Sequence, residues 1–163
     1  MLHKWLMKRA ATLDLTDLKI LRELQHNGRL SNVELASRIG LSPPPTLRRV
    51  QVLEAQGYIA GYRALLDAAK LGFDVQLFAM VGLRSQSEAE LHAFEARVAE
   101  WPEVREAYAL SGEADFILRC VGAELSELQA FVIKTLTAAP NVDSVKTTMI
   151  MRVSKYQPGV PLR

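Results

Sequence analysis

The sequence predicts an α+β fold of two domains, because the spacing of apolar residues changes character near the middle of the chain. The amino-terminal part contains three short helical patterns, each with its own start and stop signals. The remainder alternates between strand and helix patterns in the order β-α-β-β-α-β, which is that of a ferredoxin-like sheet. We expect domains at 1–63 and 75–163, joined by a linker at 64–74 that shows no clean periodicity.

The composition is that of an ordinary folded protein. Of 163 residues, 49% are hydrophobic and 23% are charged. The single Cys120 cannot form an internal disulfide, which fits a reducing cytoplasm. No apolar run approaches the ~18 residues of a membrane helix, and residues 1–11 lack the uninterrupted apolar core of a secretory signal. We therefore expect a cytoplasmic protein that does not enter the membrane.

The first helix is predicted from an apolar series that begins after Asp14. Asp14 suits the N-cap, and Asp17 places a carboxylate near the positive end of the helix. Gly28 is expected to end the helix in the left-handed conformation. The apolar positions that repeat at helical spacing are Leu15, Leu18, Leu21 and Leu24.

Two more helices follow, joined by a tight turn at Gly40-Leu41. The second is predicted to begin with a Ser31–Glu34 capping box. Ser42 is the expected cap of the third, with Pro43 at its first position, where a missing N–H costs nothing, and Gly57 at its end. Two short helices joined in this way are typical of a helix-turn-helix, whose second helix enters the major groove of DNA.

Rotating the third helix at about 100° per residue separates two faces. Leu47, Val50 and Leu53 fall on the side expected to pack against the first two helices, with Thr46 nearby. The opposite side is short at its amino end and rich in guanidinium groups. Its predicted members, including those at its edge, are Pro44, Pro45, Arg48, Arg49, Gln51 and Val52.

Charge is distributed unevenly between the two halves. Residues 1–63 contain ten Lys/Arg and five Asp/Glu, a balance of +5, whereas residues 64–163 contain ten and thirteen, a balance of −3. A basic half that also holds a helix-turn-helix is expected to bind double-stranded DNA. The candidate DNA contacts are Ser42, Pro44, Pro45, Arg48, Arg49, Gln51 and, as a phosphate contact, Arg63.

Residues 58–65 alternate and are rich in strand formers, which indicates a small wing or a strand leading out of this domain. Beyond the linker, strands are predicted at 75–84, 104–110, 116–121 and 145–154, with helices at 87–100 and 125–136. Two helices can cover only one face of a four-stranded sheet. The other face is apolar enough to need a cover, and a second copy of the sheet would supply it as a two-fold dimer.

These features together resemble the Lrp/AsnC family of feast/famine transcriptional regulators. The resemblance runs from LDLTDLKILRELQHNGRLSNVELASRIGLS through LSPPPTLRRVQVLEAQGYIAGYRALLD and SGEADFIL to the final GVPLR. It implies a winged helix-turn-helix followed by a ferredoxin-like (RAM-type) domain, acting on chromosomal DNA in the nucleoid. It also implies dimers that assemble into tetramers or octamers, and a small effector, commonly an amino acid, bound between carboxy-terminal domains.

The family's effector loop, Gly-x-x-Asp, falls here on Gly112 and Asp115. Open backbone N–H groups at Gly112 suit a carboxylate, and Asp115 suits an ammonium group. Ser111 adds a hydroxyl, and Thr147 and Thr148 in the last strand are further candidates. The alternative is that the loop is simply a tight hairpin turn.

One position departs from the family pattern. Pro44 stands where the family more often has a small polar residue, so it offers DNA an apolar contact, for example to a thymine methyl group.

No cofactor, metal site or catalytic residue is predicted. His3, His26 and His92 are not at metal-ligand spacing, and Cys120 alternates with core positions. Two rivals to an effector-responsive regulator stay open. One is a sirohaem-type decarboxylase of the same architecture, which would need His and Arg side chains around a tetrapyrrole pocket. The other is an architectural DNA-binding protein that ignores metabolites.

Overall fold

In a computed structural model the described residues are 13–162, and they form two compact units. The first consists of the described residues up to Leu65 together with residues 157–162, and the second is Leu66–Tyr156. Residues 157–162, which are predicted from the sequence to belong to the carboxy-terminal domain, therefore group with the amino-terminal unit. The basic segment 1–11 and His3 lie outside the described residues.

Three helices build the first unit: α1 (Leu15–His26), α2 (Asn32–Ile39) and α3 (Pro43–Ala55). Their shared core consists of Ile20, Leu35, Ile39 and Leu53. Burial of side chains of this size is favourable by about 1.5–3 kcal/mol each, so the core by itself is modest.

The predicted helix starts are confirmed. Asp14 and Asp17 form a reciprocal capping box at α1, and Ser31 and Glu34 form one at α2. Gly40 ends α2 with φ of 75°, in the left-handed region that favours glycine.

The prediction for Gly28 is wrong. Helix α1 is instead capped by the extended Asn27, and Gly28 has no positive φ. A Cβ atom at Gly28 would lie 3.1 Å from the Tyr62 ring. The glycine at this position therefore allows a close approach by a side chain 34 positions later, which no local pattern indicates.

Helix α3 begins as predicted at Pro43, but its cap differs. The Ser42 side chain makes no capping hydrogen bond, whereas the buried Thr46 hydroxyl donates to the Ser42 carbonyl oxygen at 3.0 Å. Gly57 closes the helix with φ of 76°. The prediction that Leu47 packs inward is wrong, since 47% of it is exposed.

The strand predicted within residues 58–65 is also wrong. This segment contains turns and irregular backbone, followed by a short 3₁₀ helix at Ala69–Leu71. Tyr58 and Ile59 pack against the three-helix core instead. Their strand-forming side chains are thus used for helix packing, which shows tertiary contacts overriding local propensity.

The second unit is the predicted ferredoxin-like sheet. Its strands lie in the order β2-β3-β1-β4, and every neighbouring pair is antiparallel. Helix α5 continues as one π-helical segment, Val132–Leu136. The elements are β1 (Val75–Leu83), α4 (Glu88–Glu100), β2 (Val104–Ala109), β3 (Phe116–Gly122), α5 (Leu125–Phe131) and β4 (Val142–Met149).

The core of this unit lies between the sheet and its two helices. Phe94 is fully buried, with its ring centroid 4.9 Å from that of Phe116 and 6.0 Å from that of Trp101. Strand β4 begins earlier than predicted, at Val142, and ends at Met149 instead of continuing to 154. Within the described residues, no helix is both long and apolar enough to cross a lipid bilayer.

Candidate nucleic-acid interface and effector pocket

Short hydrogen bonds fix the start of α3 against α2. The Leu41 N–H donates to the Ala36 carbonyl oxygen at 2.9 Å, which closes the turn after α2. The Asn32 side-chain amide donates to the Pro43 carbonyl oxygen at 2.8 Å. Asn32 was missed by sequence reasoning, because its partner lies eleven positions away in the next helix. The turn and this amide together orient the amino end of α3.

One side of α3 is open, as predicted. Pro44, Pro45, Arg48, Gln51 and Val52 are all exposed. Arg48 has no hydrogen bond or ion pair to any other residue in the described part of the chain. A groove of about 370 Å³ runs beside it, lined by Asp17, Pro45, Arg48, Arg49, Val52, Leu53 and Gln56.

Arg49 lines the same groove, but it differs from its neighbour because its guanidinium is ion-paired. Its Nη1 lies 2.7 Å from Asp14 Oδ2 and 2.8 Å from Asp17 Oδ1, so it joins α3 to the capping box of α1. A hydrogen bond from the Asp17 N–H, together with the Arg49 guanidinium, holds the pKa of Asp14 below its usual value. Arg49 therefore links α3 to the amino end of α1.

The two remaining predicted DNA contacts lie off the body of α3. Ser42 is exposed at its N-cap position. Arg63 is exposed in the irregular segment that follows the three helices. The structure thus groups three of the predicted contacts, Pro44, Pro45 and Gln51, with Arg48 on one helix face, while Arg49 is ion-paired to α1 and Arg63 lies outside the helix.

In the sheet unit, a pocket of about 320 Å³ lies between the loop after β2 and the adjacent part of β4. Ser111 and Gly112, two of the predicted effector contacts, line it. Sequence reasoning missed the two charged side chains at this pocket, Glu113 and Lys146. The full lining is Met80, Gly82, Leu110, Ser111, Gly112, Glu113, Ala114, Ser144 and Lys146.

Asp115 is engaged elsewhere. Its Oδ2 accepts a hydrogen bond from the Leu83 N–H at 2.6 Å, and its own N–H donates to the Val81 carbonyl oxygen at 2.9 Å. The Asp115 carbonyl oxygen accepts from the Leu110 N–H at 2.8 Å. Asp115 does not line the pocket and ties the loop to β1, which favours the structural alternative for this residue.

Neither predicted threonine lines the pocket. Thr147 pairs with Ala79 and Thr148 with Phe78, so the two lie on opposite faces of the sheet. Lys146 pairs with Met80 on the same face as Thr148. The alternation of side chains along β4 could have indicated which residues share a face with Lys146. It does not show which end of the strand lies beside the loop after β2.

The sheet face opposite the helices carries apolar and paired charged groups. Phe78 and Met80 are each 37% exposed and Tyr108 is 55% exposed. Between them, Arg119 Nη2 lies 2.8 Å from Glu106 Oε1, and its Nη1 donates to the Gln76 side chain at 3.2 Å. The hydrogen bonds from Arg119 lower the pKa of Glu106, so this carboxylate stays ionised at neutral pH.

Comparison with known proteins identifies both units. Residues 13–60 match a family model described as winged helix-turn-helix DNA-binding. Residues 76–160 match the Lrp/AsnC ligand binding domain. The chain belongs to the Lrp/AsnC family. It is a DNA-binding transcriptional regulator with a ligand-binding domain, as predicted.

Relatives of this Lrp/AsnC regulator align over nearly their whole length. A leucine-responsive regulatory protein of Rhizobium meliloti is 58% identical over 143 residues, which are 88% of this chain and 92% of that protein. The Bkd operon transcriptional regulator of Pseudomonas aeruginosa is 41% identical over 93% of this chain and 99% of its own. A transcriptional regulator of Neisseria meningitidis, solved in complex with L-Met, has a TM-score of 0.88 and 38% identity, covering 93% of this chain and 97% of that one.

His92 and Cys120 are residue types that can support metal or nucleophilic chemistry, and the structure shows the surroundings of both in this Lrp/AsnC regulator. His92 is exposed on α4, 3.0 Å from Glu95 and 3.7 Å from Glu88, and the Glu95 hydrogen bond raises its pKa. Burial raises the pKa of the Cys120 thiol to about 11. Within residues 13–162, no cluster of three or more His, Cys, Asp or Glu side chains is placed to hold a metal ion.

Proposed function

We propose that this regulator reads DNA through the open face of α3 and that an amino acid in the Lys146 pocket adjusts its binding. The first part of the proposal rests on Arg48, whose guanidinium is exposed and has no partner among the described residues. Arg48 lies on α3, which is held in place by the Asn32 amide of α2 and by the ion pair of Arg49 with Asp14. A positioned, unpaired guanidinium suits a guanine edge or a backbone phosphate.

The face around Arg48 limits how it reads bases. Pro44 and Pro45 have no N–H group and present only apolar surface at the amino end of α3, and Val52 is apolar as well. Direct hydrogen bonding to base edges then depends on Arg48 and Gln51, while the prolines contact methyl groups. We expect Arg48 and Gln51 to contribute most of the discrimination between sequences.

The pocket chemistry supports a zwitterionic effector. Lys146 supplies a cation for a carboxylate, and Glu113 supplies an anion for an ammonium group. Met80 and Leu110 add apolar surface for a side chain. The related regulator solved with L-Met supports an amino acid as the ligand class.

The open sheet face supports a homodimer. Phe78, Met80 and Tyr108 leave apolar surface exposed in a single chain, and a second copy of the same face would cover it. A two-fold dimer would present two copies of α3 to half-sites about one helical turn or a multiple apart. Sedimentation equilibrium of the full chain distinguishes a dimer from a tetramer or octamer.

The effector proposal is tested by thermal unfolding with each of the twenty amino acids. A ligand at 100 times its Kd stabilises a protein by about 2.7 kcal/mol, a readily measured shift in Tm. Lys146→Met and Glu113→Gln should lose this shift. Lys134→Met is the matched control, because Lys134 is an exposed lysine on the helical side of the same unit, away from the pocket.

Two outcomes would contradict this proposal. If no amino acid raises the Tm of the wild-type protein, the architectural rival that ignores metabolites is favoured. If an amino acid stabilises Lys146→Met as much as wild type, the effector binds elsewhere.

A further inference from the structure

We propose that the carboxy-terminal segment is a second tether, through which the effector pocket controls the DNA-binding unit. This inference rests on the proposed effector function and adds the route by which that effector acts. The tether consists of residues 150–160, and it ends in a contact with α1 that we call the tail clasp, defined by Gln25, Gly159 and Val160.

The tail clasp is a reciprocal pair of hydrogen bonds. Gln25 Nε2 donates to the Val160 carbonyl oxygen at 2.9 Å, and the Val160 N–H donates to Gln25 Oε1 at 2.9 Å. One side-chain amide thereby satisfies both backbone groups of one residue, as a neighbouring strand would. These partners are 135 positions apart in the chain.

Gly159 makes this contact possible. Its φ is 110°, a conformation that residues with a side chain rarely adopt, and a Cβ atom there would collide with the Gln25 amide. The geometry of the clasp is therefore built for a glycine in the tail and a glutamine in α1. The clasp is thus a specific contact that depends on the identity of both residues.

The tether begins at the strand that lines the pocket. Ser144 and Lys146 of β4 are pocket residues, and β4 ends three positions after Lys146. The Ile150 N–H donates to the Gln76 carbonyl oxygen at 2.9 Å, which holds the first residue of the tether beside β1. A displacement of β4 by an effector is thus passed along the chain to the clasp.

The other connection between the units leaves the sheet at the same end. Leu77, near the start of β1, pairs with Met149, the last residue of β4. The segment entering β1 and the segment leaving β4 therefore run from one end of two neighbouring strands. When the clasp is closed, two chain segments connect the DNA-binding unit to the sheet. When the clasp is open, only the segment entering β1 constrains the DNA-binding unit.

Such a device regulates only if the effector prefers one state of the clasp. The clasp can open, because it consists of two hydrogen bonds between neutral, exposed groups, which are weak in water. An effector that moves Ser144 and Lys146 then changes the fraction of closed clasps. That fraction sets how freely the DNA-binding units can adjust to two half-sites.

The test uses the full chain carrying Gln25→Ala, with Gln129→Ala as the matched control on the exposed side of α5. Gly159→Ala breaks the same clasp from the tail side, which separates loss of the clasp from any effect on α1. Hydrogen exchange reports whether the Val160 amide is protected. Titrations then measure the Kd for L-methionine and L-leucine and the Kd for a bound DNA fragment, without and with each amino acid at saturation.

In wild type and Gln129→Ala we expect the amino acid to change the DNA Kd by roughly 5- to 150-fold, the usual range of allosteric coupling. In both clasp variants we expect the Val160 amide to lose protection and that ratio to fall to within about twofold of one. By the same linkage, the Kd for the amino acid itself should shift in the clasp variants: binding becomes weaker if the effector prefers the closed clasp and tighter if it prefers the open one.

Two results overturn the inference, and they are distinguishable. If the clasp variants lose Val160 protection but keep the wild-type coupling ratio, the tether carries no signal, while the proposed effector function stands. If neither amino acid nor any other from the thermal screen alters DNA binding by the wild-type protein, the effector function fails and the tether proposal fails with it.

Discussion

Among the described residues, the three-helix unit buries a core cluster of four apolar side chains, whereas the sheet unit buries one of thirteen. The helical unit compensates with capping boxes, the Arg49 ion pairs and the Asn32 amide that pins α3. The sheet unit depends on apolar packing and leaves one face open. We therefore expect substitutions of these polar residues to lower the stability of the DNA-binding unit. Substitutions in the apolar core should lower the stability of the sheet unit.

The strongest test of this comparison is Phe94→Ala. Phe94 is fully buried and its ring packs against those of Phe116 and Trp101, so its removal leaves a cavity. We expect the free energy of unfolding of the sheet unit to fall by about 3–5 kcal/mol. Urea unfolding, followed by hydrogen exchange of amides in each unit, measures this.

The two units should respond separately. Amides of α1 to α3 should keep their wild-type protection at urea concentrations where those of β1 and β3 have lost it. Simultaneous loss of protection in both units would show that they unfold as one, and the comparison between two independently stabilised regions would fail.

The sequence predicted what depends on neighbours within a few positions. The Asp14 cap of α1, the Ser31–Glu34 capping box, the Gly40 and Gly57 helix ends and the order of strands and helices along the chain follow from local patterns, and all are confirmed. What local patterns could not indicate involves partners far along the chain. Gly28 faces Tyr62, and Arg49 pairs with Asp14, 35 positions earlier.

The candidate sites show the same limit. The Asp115 carboxylate, a predicted effector contact, accepts a hydrogen bond from the Leu83 N–H, 32 positions earlier, which no local pattern indicates. The pocket residues Glu113 and Lys146 meet only because the sheet order brings β4 beside β1, next to the loop after β2. A pattern of residue types gives the face of a strand but not the loop that it meets in space.

The next test compares Arg48 with Arg49, which are adjacent in sequence and differ in partners. We expect Arg48→Ala to weaken DNA binding by about 1–3 kcal/mol if it reads a base, with little change in stability. Arg49→Ala should lower the Tm of the three-helix unit, because Asp14 and Asp17 lose their shared cation. Fluorescence anisotropy with specific and random DNA, alongside thermal unfolding, separates the two effects.

Salt dependence shows which contact Arg48 makes. A phosphate contact would weaken binding to all sequences alike and reduce the salt slope by about one unit. Equal losses of DNA affinity in the two variants, with no loss of stability in Arg49→Ala, would contradict the distinction between a free and a bound arginine.

A third test asks whether Asp115 belongs to the sheet or to the effector. Asp115→Ala leaves the partly buried Leu83 N–H without its acceptor, which should cost about 1–3 kcal/mol of unfolding free energy in the sheet unit. Asp115→Asn keeps an acceptor oxygen and should recover most of that loss. If Asp115→Ala instead folds with wild-type stability and loses only amino-acid binding, the ligand role implied by the family resemblance is the right one.

The smallest expected effect concerns Tyr62, whose ring lies against Gly28 in the helical unit. Burial, followed by the 2.9 Å hydrogen bond to Glu54, raises the pKa of Tyr62 to about 12 from an ordinary value of 10.0. A pKa raised by folding means that the contribution to stability is fully present below pH 10 and is lost as the pH rises toward about 12. Tyr62→Phe should cost roughly 0.5 kcal/mol at neutral pH.

The difference in Tm between wild type and Tyr62→Phe isolates this group from the other residues that titrate in alkali. That difference should shrink as the pH rises through this window, because the wild-type hydroxyl loses its proton. Tyr156→Phe, which removes an exposed phenol from the sheet unit, is the control and should show no such trend. A constant difference across the window would mean that the hydroxyl does not stabilise the helical unit and that the ring alone, packed on Gly28, accounts for the role of Tyr62.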